Sequence, residues 1–197
     1  MTEKVSYQGL SPLTFLERSA FVYPDKTAVI YNEERYTYAQ LSNRVRQLAG
    51  ALAKVGVQKD DKVAFLVPNI PPMLEAHFGP LRLGAILVAL NTRLSSRELG
   101  YILNHSEAKV LVFDSELAPV VRGFKDNVPG IKTYVQVVDI APKADDIQGP
   151  DYESFIASAT NEDHRVELES ELDTIAINYT SGTTGMPKGV EYHARGA

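Results

Sequence analysis

The chain has 197 residues, 44% of them hydrophobic, so it is long enough to bury a core and too apolar for a disordered or fibrous protein. Its 20 basic and 25 acidic residues are interspersed and give a net charge of -5. This distribution leaves no basic stripe for a nucleic-acid backbone or an anionic membrane, so we expect a small-molecule ligand and no nucleic-acid partner.

Cysteine and histidine content limits the chemistry further. The chain has no cysteine, which excludes a disulfide framework, a thiolate nucleophile and a cysteine zinc site. The histidines are far apart in the sequence, so we expect no metal held by protein ligands alone: they are His77, His105, His164 and His193. No apolar run approaches the ~20 residues of a membrane span, and the first residues lack a signal-peptide pattern. The sequence therefore predicts no transmembrane segment and a cytoplasmic location.

Strands and helices alternate along most of the chain. The predicted helices cover 11–23, 37–56, 72–83, 95–103 and 116–125, and the predicted strands cover 27–31, 35–36, 62–67, 85–90, 109–114 and 133–138. Thr37 with Gln40, and Ser95 with Glu98, have the spacing of capping boxes, which fix where two helices begin. Such alternation builds βαβ units, so we predict an α/β fold with a largely parallel β-sheet covered by helices on both faces.

The predicted helix over 72–83 carries one of the histidines. Leu74, Phe78 and Leu81 recur at helical spacing and predict one apolar face. His77 falls close to that face, so we interpret it as a packed helix residue rather than a ligand.

The alternation stops between residues 139 and 172. Prolines at 142 and 150 interrupt this acidic stretch, which we interpret as a solvated connecting segment with one short helix near 152–158. A binding role for the acidic surface has no second observation in its favour. The predicted divisions are an α/β subdomain over 1–138, the acidic connecting segment over 139–172, and a strand, loop and following strand over 173–197.

The stretch from Tyr179 to Val190 is the most informative part of the sequence. Residues 180–189 contain four hydroxyl side chains, three glycines and one lysine, directly after the apolar run 174–179. Glycine lets backbone N–H groups converge on phosphate oxygens, while hydroxyls add donors and lysine adds charge. A flexible linker is also rich in Ser, Thr and Gly, but needs neither the lysine nor the strand. The predicted phosphate-binding residues are Thr180, Ser181, Gly182, Thr183, Thr184, Gly185 and Lys188.

Two general nucleotide motifs do not fit this stretch. A Walker loop is excluded because Lys188 is followed by glycine, and no G-x-G-x-x-G occurs. The string Y-T-S-G-T-T-G-M-P-K-G-V instead resembles the phosphate-binding signature of the adenylate-forming superfamily, which includes acyl-CoA synthetases, luciferases and the adenylation domains of peptide synthetases. Weaker likenesses to the same superfamily occur, in its usual order, at 37–41, 60–64, 83–94 and 99–111.

This resemblance implies the N-terminal part of the N-terminal domain of an adenylate-forming enzyme, of the acyl-CoA synthetase type. Such enzymes activate a carboxylic acid, here by likeness a fatty acid, with ATP and Mg²⁺, and then pass the acyl group to coenzyme A. Known members are more than twice as long. Their adenine-binding segment, ribose-binding aspartate and catalytic lysine would follow residue 197, so the resemblance implies no catalytic residue within this chain and no full activity from it alone.

The last residues depart from the family pattern. In an alignment on Gly189 and Gly196, Ala194 replaces a histidine that is frequent near the acid pocket of the family. His193 is the neighbouring position, and the resemblance makes it a candidate substrate-pocket residue. Glu191 stands where an apolar strand residue is usual. These departures bear on substrate specificity and on catalytic competence.

Two other functions remain open from the sequence. One is a nucleotide-binding or structural remnant that has lost catalysis, and the other is an adenylation domain that serves a carrier protein instead of coenzyme A. A parallel sheet that stops after a strand at 189–193 would leave apolar strand edges uncovered. We therefore expect self-association, with a homo-oligomer as its simplest form.

Overall fold

The computed structural model describes residues 9–159, 163–180 and 185–197. The helices of these ranges are α1 (Pro12–Val22), α2 (Tyr38–Lys54), α3 (Pro71–Ala76), α4 (Gly79–Arg82), α5 (Ser96–His105), α6 (Ala118–Arg122) and α7 (Tyr152–Ala157). Their strands are β1 (Thr27–Tyr31), β2 (Glu34–Thr37), β3 (Lys62–Leu66), β4 (Ile86–Ala89), β5 (Ala108–Asp114), β6 (Thr133–Val137), β7 (Thr174–Thr180) and β8 (Lys188–His193). Short 3₁₀ turns cover Ser115–Leu117, Lys125–Asn127 and Ala194–Gly196.

The central sheet has the order β6-β5-β3-β4-β7-β8, and β1 and β2 form a separate antiparallel hairpin. Strands β3 to β7 pair in parallel, while β8 returns antiparallel to β7. The predicted α/β class with a largely parallel sheet is confirmed. The carboxyl ends of parallel strands lie at the same edge of a sheet. The polar residues that follow β3, β4 and β7 therefore lie close together at that edge.

Strand β3 shows why both faces of the sheet are covered. Val63 and Phe65 pack into a core with residues of α2, α3 and α7, whereas Ala64 and Leu66 pack into a core with residues of α5 and α6. All four side chains are fully buried. Successive strand residues point to opposite faces, so a continuous apolar run is what a strand between two helical layers requires.

Both predicted capping boxes are present. The Gln40 N–H donates to Thr37 Oγ1 over 3.2 Å, and the Thr37 N–H donates to Gln40 Oε1 over 2.8 Å. The Ser95 box has the same two bonds with Glu98, at 3.4 Å and 2.9 Å. Each box satisfies two backbone donors that a helix start leaves unpaired, so local sequence alone sets where α2 and α5 begin.

The single helix predicted over 72–83 is wrong, because the chain breaks between α3 and α4. Pro80 has no N–H to donate, and its ring excludes the carbonyl four residues earlier. Gly79 then brings α4 against α2, so closely that a Cβ at that position would lie 2.4 Å from Leu48 Cδ2. Leu74, in α3, is exposed rather than part of a buried face.

The helix predicted over 116–125 is shorter than expected. Asp114 caps a 3₁₀ turn, its Oδ1 accepting from the Glu116 N–H over 2.8 Å, and α6 begins only at Ala118. Pro119 lies in the first turn of α6, a position where the missing N–H of proline costs nothing. The proline therefore starts a new helix instead of continuing the preceding turn.

The acidic stretch contributes to the core as well as to the surface. The short helix expected near 152–158 is present as α7, and its Tyr152, Phe155 and Ile156 are buried. Several acidic side chains of the stretch form ion pairs with basic residues of other segments: Asp146 with Arg122, Glu153 with Arg44, Asp163 with Arg82, Glu169 with Lys59, and Glu171 with Arg195. The divisions at 138 and 172 remain a prediction.

Candidate functional site

The predicted phosphate loop joins β7 to β8. The last cross-strand pair before it is Thr180 with Lys188, so these two predicted site residues lie opposite each other at the base of the loop. Both are exposed. We call this pair the loop mouth. Ser181, Gly182, Thr183 and Thr184 lie outside the described residues.

Gly185 is on the returning side of the loop. It is exposed, and a Cβ built on it would meet no atom of the described residues within 4 Å. Its backbone is not in the left-handed region, so the conformational freedom that the sequence argument invoked is not used at this position. A role for Gly185 in binding phosphate remains a prediction.

A cleft of about 540 Å³ opens beside the loop mouth, at the carboxyl ends of β3, β4 and β7. Ligands of open α/β sheets bind at this edge, because side chains and loops from several strands converge there. Val67, Met73 and Ile102 belong to the apolar part of its lining. The polar residues of the lining are Asn69, His77, Asn91, Thr92, Asn178 and Tyr179.

His77 lines this cleft instead of packing within a helix. It is the residue that ends α3, and it is exposed to solvent at the cleft wall. The surrounding walls nevertheless lower the pKa of His77 by partial desolvation, which disfavours the charged imidazolium. The interpretation of His77 as a packed helix residue is therefore wrong, and the cause is the helix break that the sequence argument missed.

Helix α3 ends at His77. It is bonded to α2 and α7 by a group of polar side chains that we call the Glu75 network. Glu75 is fully buried, and its carboxylate accepts from Arg44 Nε over 2.5 Å and from the Tyr152 hydroxyl over 2.6 Å. Arg44 Nη1 also donates to Glu153 over 2.8 Å. Burial raises the pKa of Glu75, while the bond from Arg44 opposes that rise, and burial raises the pKa of Tyr152.

A second contact fixes the start of the loop. The hydroxyl of Tyr179 lies 2.8 Å from Nδ1 of His105, the last residue of α5, and the two rings meet edge to face with centroids 5.8 Å apart. Sequence reasoning assigned neither residue to the site. Tyr179 stood inside the recognised signature, but nothing in the sequence reveals that the end of α5 meets the end of β7.

His193 lies away from the loop mouth. It is at the opposite end of β8 from Lys188, and it does not belong to the lining of the described cleft. Its Nδ1 accepts from the Gly196 N–H over 3.0 Å and so caps the last 3₁₀ turn. A role for His193 in a substrate pocket remains a prediction.

The two departures from the family pattern have local structural roles. Ala194 is buried against Leu13, Leu81 and Ile175, where a larger side chain would force repacking. Glu191 is exposed and accepts a hydrogen bond from Thr174 Oγ1 over 3.0 Å on the neighbouring strand. Both residues therefore fit this fold as they stand.

In residues 9–159, 163–180 and 185–197, no group of three or more potential metal-ligating side chains could hold a metal ion. Within the same part of the chain, no helix combines the length and apolarity needed to cross a membrane.

A family profile described as AMP-binding enzyme matches residues 16–197. Among curated proteins, 4-hydroxybutyrate–CoA ligase 2 of Metallosphaera sedula is 36% identical over 195 residues, which are 97% of this chain and 35% of that protein. The peroxisomal butyrate–CoA ligase AAE11 of Arabidopsis thaliana is 34% identical over 198 residues, again 35% of its length. The chain thus spans about a third of the relatives that it matches.

Solved structures give the same result. The anthranilate CoA ligase AuaEII, solved in complex with anthranoyl-AMP, superposes with a TM-score of 0.88 at 28% identity, over 99% of this chain and 37% of that one. The N-terminal domain of FACL13 from Mycobacterium tuberculosis, solved with an inhibitor bound, superposes with a TM-score of 0.81 at 30% identity. That match covers 94% of this chain and 44% of the domain.

Proposed function

Since the chain belongs to the AMP-binding enzyme family, we propose that it is the N-terminal portion of an AMP-forming acyl-CoA ligase and carries the phosphate-binding loop for ATP. One observation carries this proposal: Thr180 and Lys188 face each other at the base of the loop, exposed and beside a cleft at the carboxyl edge of the sheet. A hydroxyl donor and a positive charge at such an edge fit a polyphosphate.

The proposed first reaction is the attack of a carboxylate oxygen on the α-phosphorus of ATP. The carboxylate oxygen forms a bond to the α-phosphorus. The bond between the α-phosphorus and the leaving pyrophosphate breaks, and an acyl-adenylate results. Both reactants are anionic, so the site must neutralise the triphosphate and align the leaving group. Lys188 supplies positive charge and Thr180 supplies a hydroxyl donor. We propose that Mg²⁺ enters bound to ATP and offsets part of its charge.

The proposed second reaction transfers the acyl group to coenzyme A. The thiol sulfur bonds to the acyl carbonyl carbon, its proton is lost to the medium or a base, and AMP leaves. We propose a fatty acid as the substrate. Support comes from two relatives that are named for butyrate and 4-hydroxybutyrate, both short aliphatic acids.

Lys188→Gln tests the loop. We expect the 197-residue chain to bind Mg·ATP weakly, and Lys188→Gln to weaken that binding at least about tenfold, because charge-assisted bonds to phosphate are lost. The matched control is Lys143→Gln, which removes another exposed lysine, from the segment after β6. Isothermal titration calorimetry measures all three proteins. Equal affinity in Lys188→Gln and Lys143→Gln would refute the loop assignment.

The activity is tested on the longer protein that contains this chain. We expect acid-dependent exchange of pyrophosphate into ATP, and thioester formation with free coenzyme A, with butyrate or octanoate preferred over benzoate. Exchange without thioester formation would favour an adenylation domain for a carrier protein. A longer protein that binds ATP and supports neither reaction would be the non-catalytic remnant.

We also propose a cytoplasmic location, which cell fractionation can distinguish from the peroxisomal location in the names of several relatives.

We further propose that the 197-residue chain associates with itself through β8. This strand is at the edge of the described sheet, and Val190 and Tyr192 on it are 41% and 40% exposed. An exposed edge with apolar side chains is a template for pairing with another chain. Light scattering should show a mass that rises with concentration, and replacing Val190 by lysine should reduce that rise. A constant monomer mass would exclude this association.

A further inference from the structure

The ring of Tyr179 lies across the backbone at the base of the loop. Tyr179 pairs with Gly189 on the neighbouring strand, one position before the pair Thr180 and Lys188. A Cβ built on Gly189 would lie 3.3 Å from Cζ of Tyr179 and 3.1 Å from Cγ2 of Ile177. The tyrosine ring therefore occupies the space that a side chain at 189 would need, and it contacts both strands that enter the loop.

The pairing of β7 with its other neighbour stops short of this point. Parallel pairing between β4 and β7 ends at Asn178, so Tyr179 and Thr180 extend beyond the last residue that β4 supports. Strand β8, on the other side, is exposed along nearly its whole length. The end of β7 thus needs a contact from outside the sheet if the loop mouth is to keep one geometry.

Helix α5 supplies that contact through His105. The helix is anchored by Leu99, Ile102 and Leu103, which are buried in the core on that face of the sheet. Tyr101 lies one turn before His105 and packs against its ring, with centroids 5.4 Å apart. The imidazole is therefore held by the helix on one side and bonded to the Tyr179 hydroxyl, 2.8 Å away, on the other.

Resting on the proposed function, we propose that His105 and Tyr179 are positioning residues for the triphosphate of ATP. Their hydrogen bond fixes the Tyr179 ring over Gly189, and this contact holds Thr180 and Lys188 opposite each other at the loop mouth. Neither residue needs to touch the nucleotide. A preorganised pair of donors binds a ligand more tightly because less ordering remains to be done on binding.

A purely structural role for the pair predicts a different result. The bond lies near the surface, where a hydrogen bond contributes little to folding because water can replace either partner. Burial raises the pKa of Tyr179, so its hydroxyl stays protonated at neutral pH and can donate to Nδ1 of His105. Removing the hydroxyl should therefore change the geometry of the loop mouth far more than the stability of the chain.

Tyr179→Phe tests the proposal, because it keeps the ring and removes only the hydroxyl. In the 197-residue chain we expect the affinity for Mg·ATP to fall about fivefold, because one hydrogen bond that orders the loop mouth is lost. The midpoint of thermal unfolding should stay within about 2 °C of the unchanged chain. The matched control is Tyr192→Phe, the same change on the exposed face of β8, which should leave affinity unchanged.

A double-mutant cycle distinguishes a positioning role from a purely structural one. His105→Leu alone, Tyr179→Phe alone and the two together should weaken ATP binding equally, because each breaks the same bond. His105→Gln, which keeps a polar group at the end of α5, should restore part of the affinity. Amide hydrogen exchange at Lys188 should speed up in Tyr179→Phe without nucleotide, and it should not in Tyr192→Phe.

The outcomes separate this proposal from the proposed function. If Lys188→Gln weakens ATP binding and Tyr179→Phe does not, the positioning role is wrong and the phosphate loop stands. Additive losses in the double mutant, or losses that follow the unfolding midpoint, also overturn the positioning role. If the unchanged chain does not bind ATP, both proposals fail together.

Discussion

Two groups of polar side chains lie close to the cleft and differ in how their charges are used. In the Glu75 network the carboxylate is fully buried, and Arg44 and Tyr152 both donate hydrogen bonds to it. At the loop mouth, Thr180 and Lys188 face solvent. Burying a charge without partners costs several kcal/mol, so the buried group must be satisfied within the protein, whereas the exposed pair stays available to a ligand.

This difference separates the Glu75 network, which joins packed helices, from the loop mouth, which we propose binds the ligand. The Glu75 network joins α2, α3 and α7, and α3 leads to the cleft residue His77. Loss of the Glu75 network should lower the free energy of unfolding, and ligand binding would fall because less of the chain is folded. The loop mouth joins only two strands at the edge of the sheet, so its loss should lower ligand affinity and leave stability nearly unchanged.

The largest expected effect is a loss of stability when the buried carboxylate of the Glu75 network is removed. Glu75→Gln should lower the free energy of unfolding by about 3 kcal/mol, because it leaves the Arg44 guanidinium without its buried counter-charge. Glu153→Gln removes the exposed partner of the same arginine and should cost less than about 1 kcal/mol. Urea denaturation of the three proteins measures both values. Equal losses would mean that the network does not depend on the buried carboxylate.

A pair of glycine substitutions sharpens the comparison. Gly79→Ala places a methyl group against Leu48 and should lower the free energy of unfolding by about 1 to 3 kcal/mol, with ATP affinity of the folded chain unchanged. Gly185→Ala adds the same methyl group where no atom of the described residues lies within 4 Å, and it should change stability by less than about 0.5 kcal/mol. It should weaken ATP binding, because the methyl group occupies the approach to the loop. The reverse pattern would contradict the division into holding and binding residues.

The smallest expected effect concerns Asp114, which is buried and whose Oδ2 has no hydrogen-bond partner among the residues that the structure describes. Burial raises the pKa of Asp114 above its ordinary value, so the folded state holds the proton more tightly than the unfolded state does. Its contribution to stability is therefore complete below the ordinary aspartate pKa and is lost as pH rises through the raised pKa. Asp114→Asn keeps an oxygen that can cap the 3₁₀ turn and removes this pH dependence.

Denaturation curves between pH 3.5 and 7, a range set around the reference aspartate pKa of about 3.9, measure that effect. The difference in unfolding free energy between Asp114→Asn and the unchanged chain should grow in favour of the asparagine as pH rises. A difference that is constant with pH would show that the carboxyl has the same pKa in both states. The charged groups that act on the pKa of Asp114 are the carboxylates of Glu116 and Asp139, whereas Glu75 is bonded to Arg44. Asp114 is therefore the test of a buried carboxyl among like charges.

The sequence predicted features that depend on neighbouring residues. Thr37 and Ser95 set helix starts through bonds to residues three positions later, and the strands that became β3, β4 and β5 were visible as apolar runs. It failed where a local pattern was interrupted. The spacing of Leu74, Phe78 and Leu81 predicts one helix, but the chain forms two, because Pro80 cannot continue the first.

The sequence predicted the chemistry of the candidate site and little of its geometry. The residues from Thr180 to Lys188 predict a phosphate loop, which stays a prediction, and the structure pairs the two ends of that stretch. No sequence pattern indicated that Tyr152 from the acidic stretch would bond to Glu75, or that His105 would reach Tyr179. These contacts join residues that are distant in the chain, so they exist only once the sheet has formed.

By itself, the sequence determined the α/β class, the helix caps and the chemical character of the loop, since each follows from residues within a few positions of one another. The tertiary structure alone decided which charges are buried with partners and which face the cleft. It also decided that the end of α5 supports the end of β7. The physical reason is that burial and long-range hydrogen bonds depend on which elements pack together, and packing is a property of the whole chain.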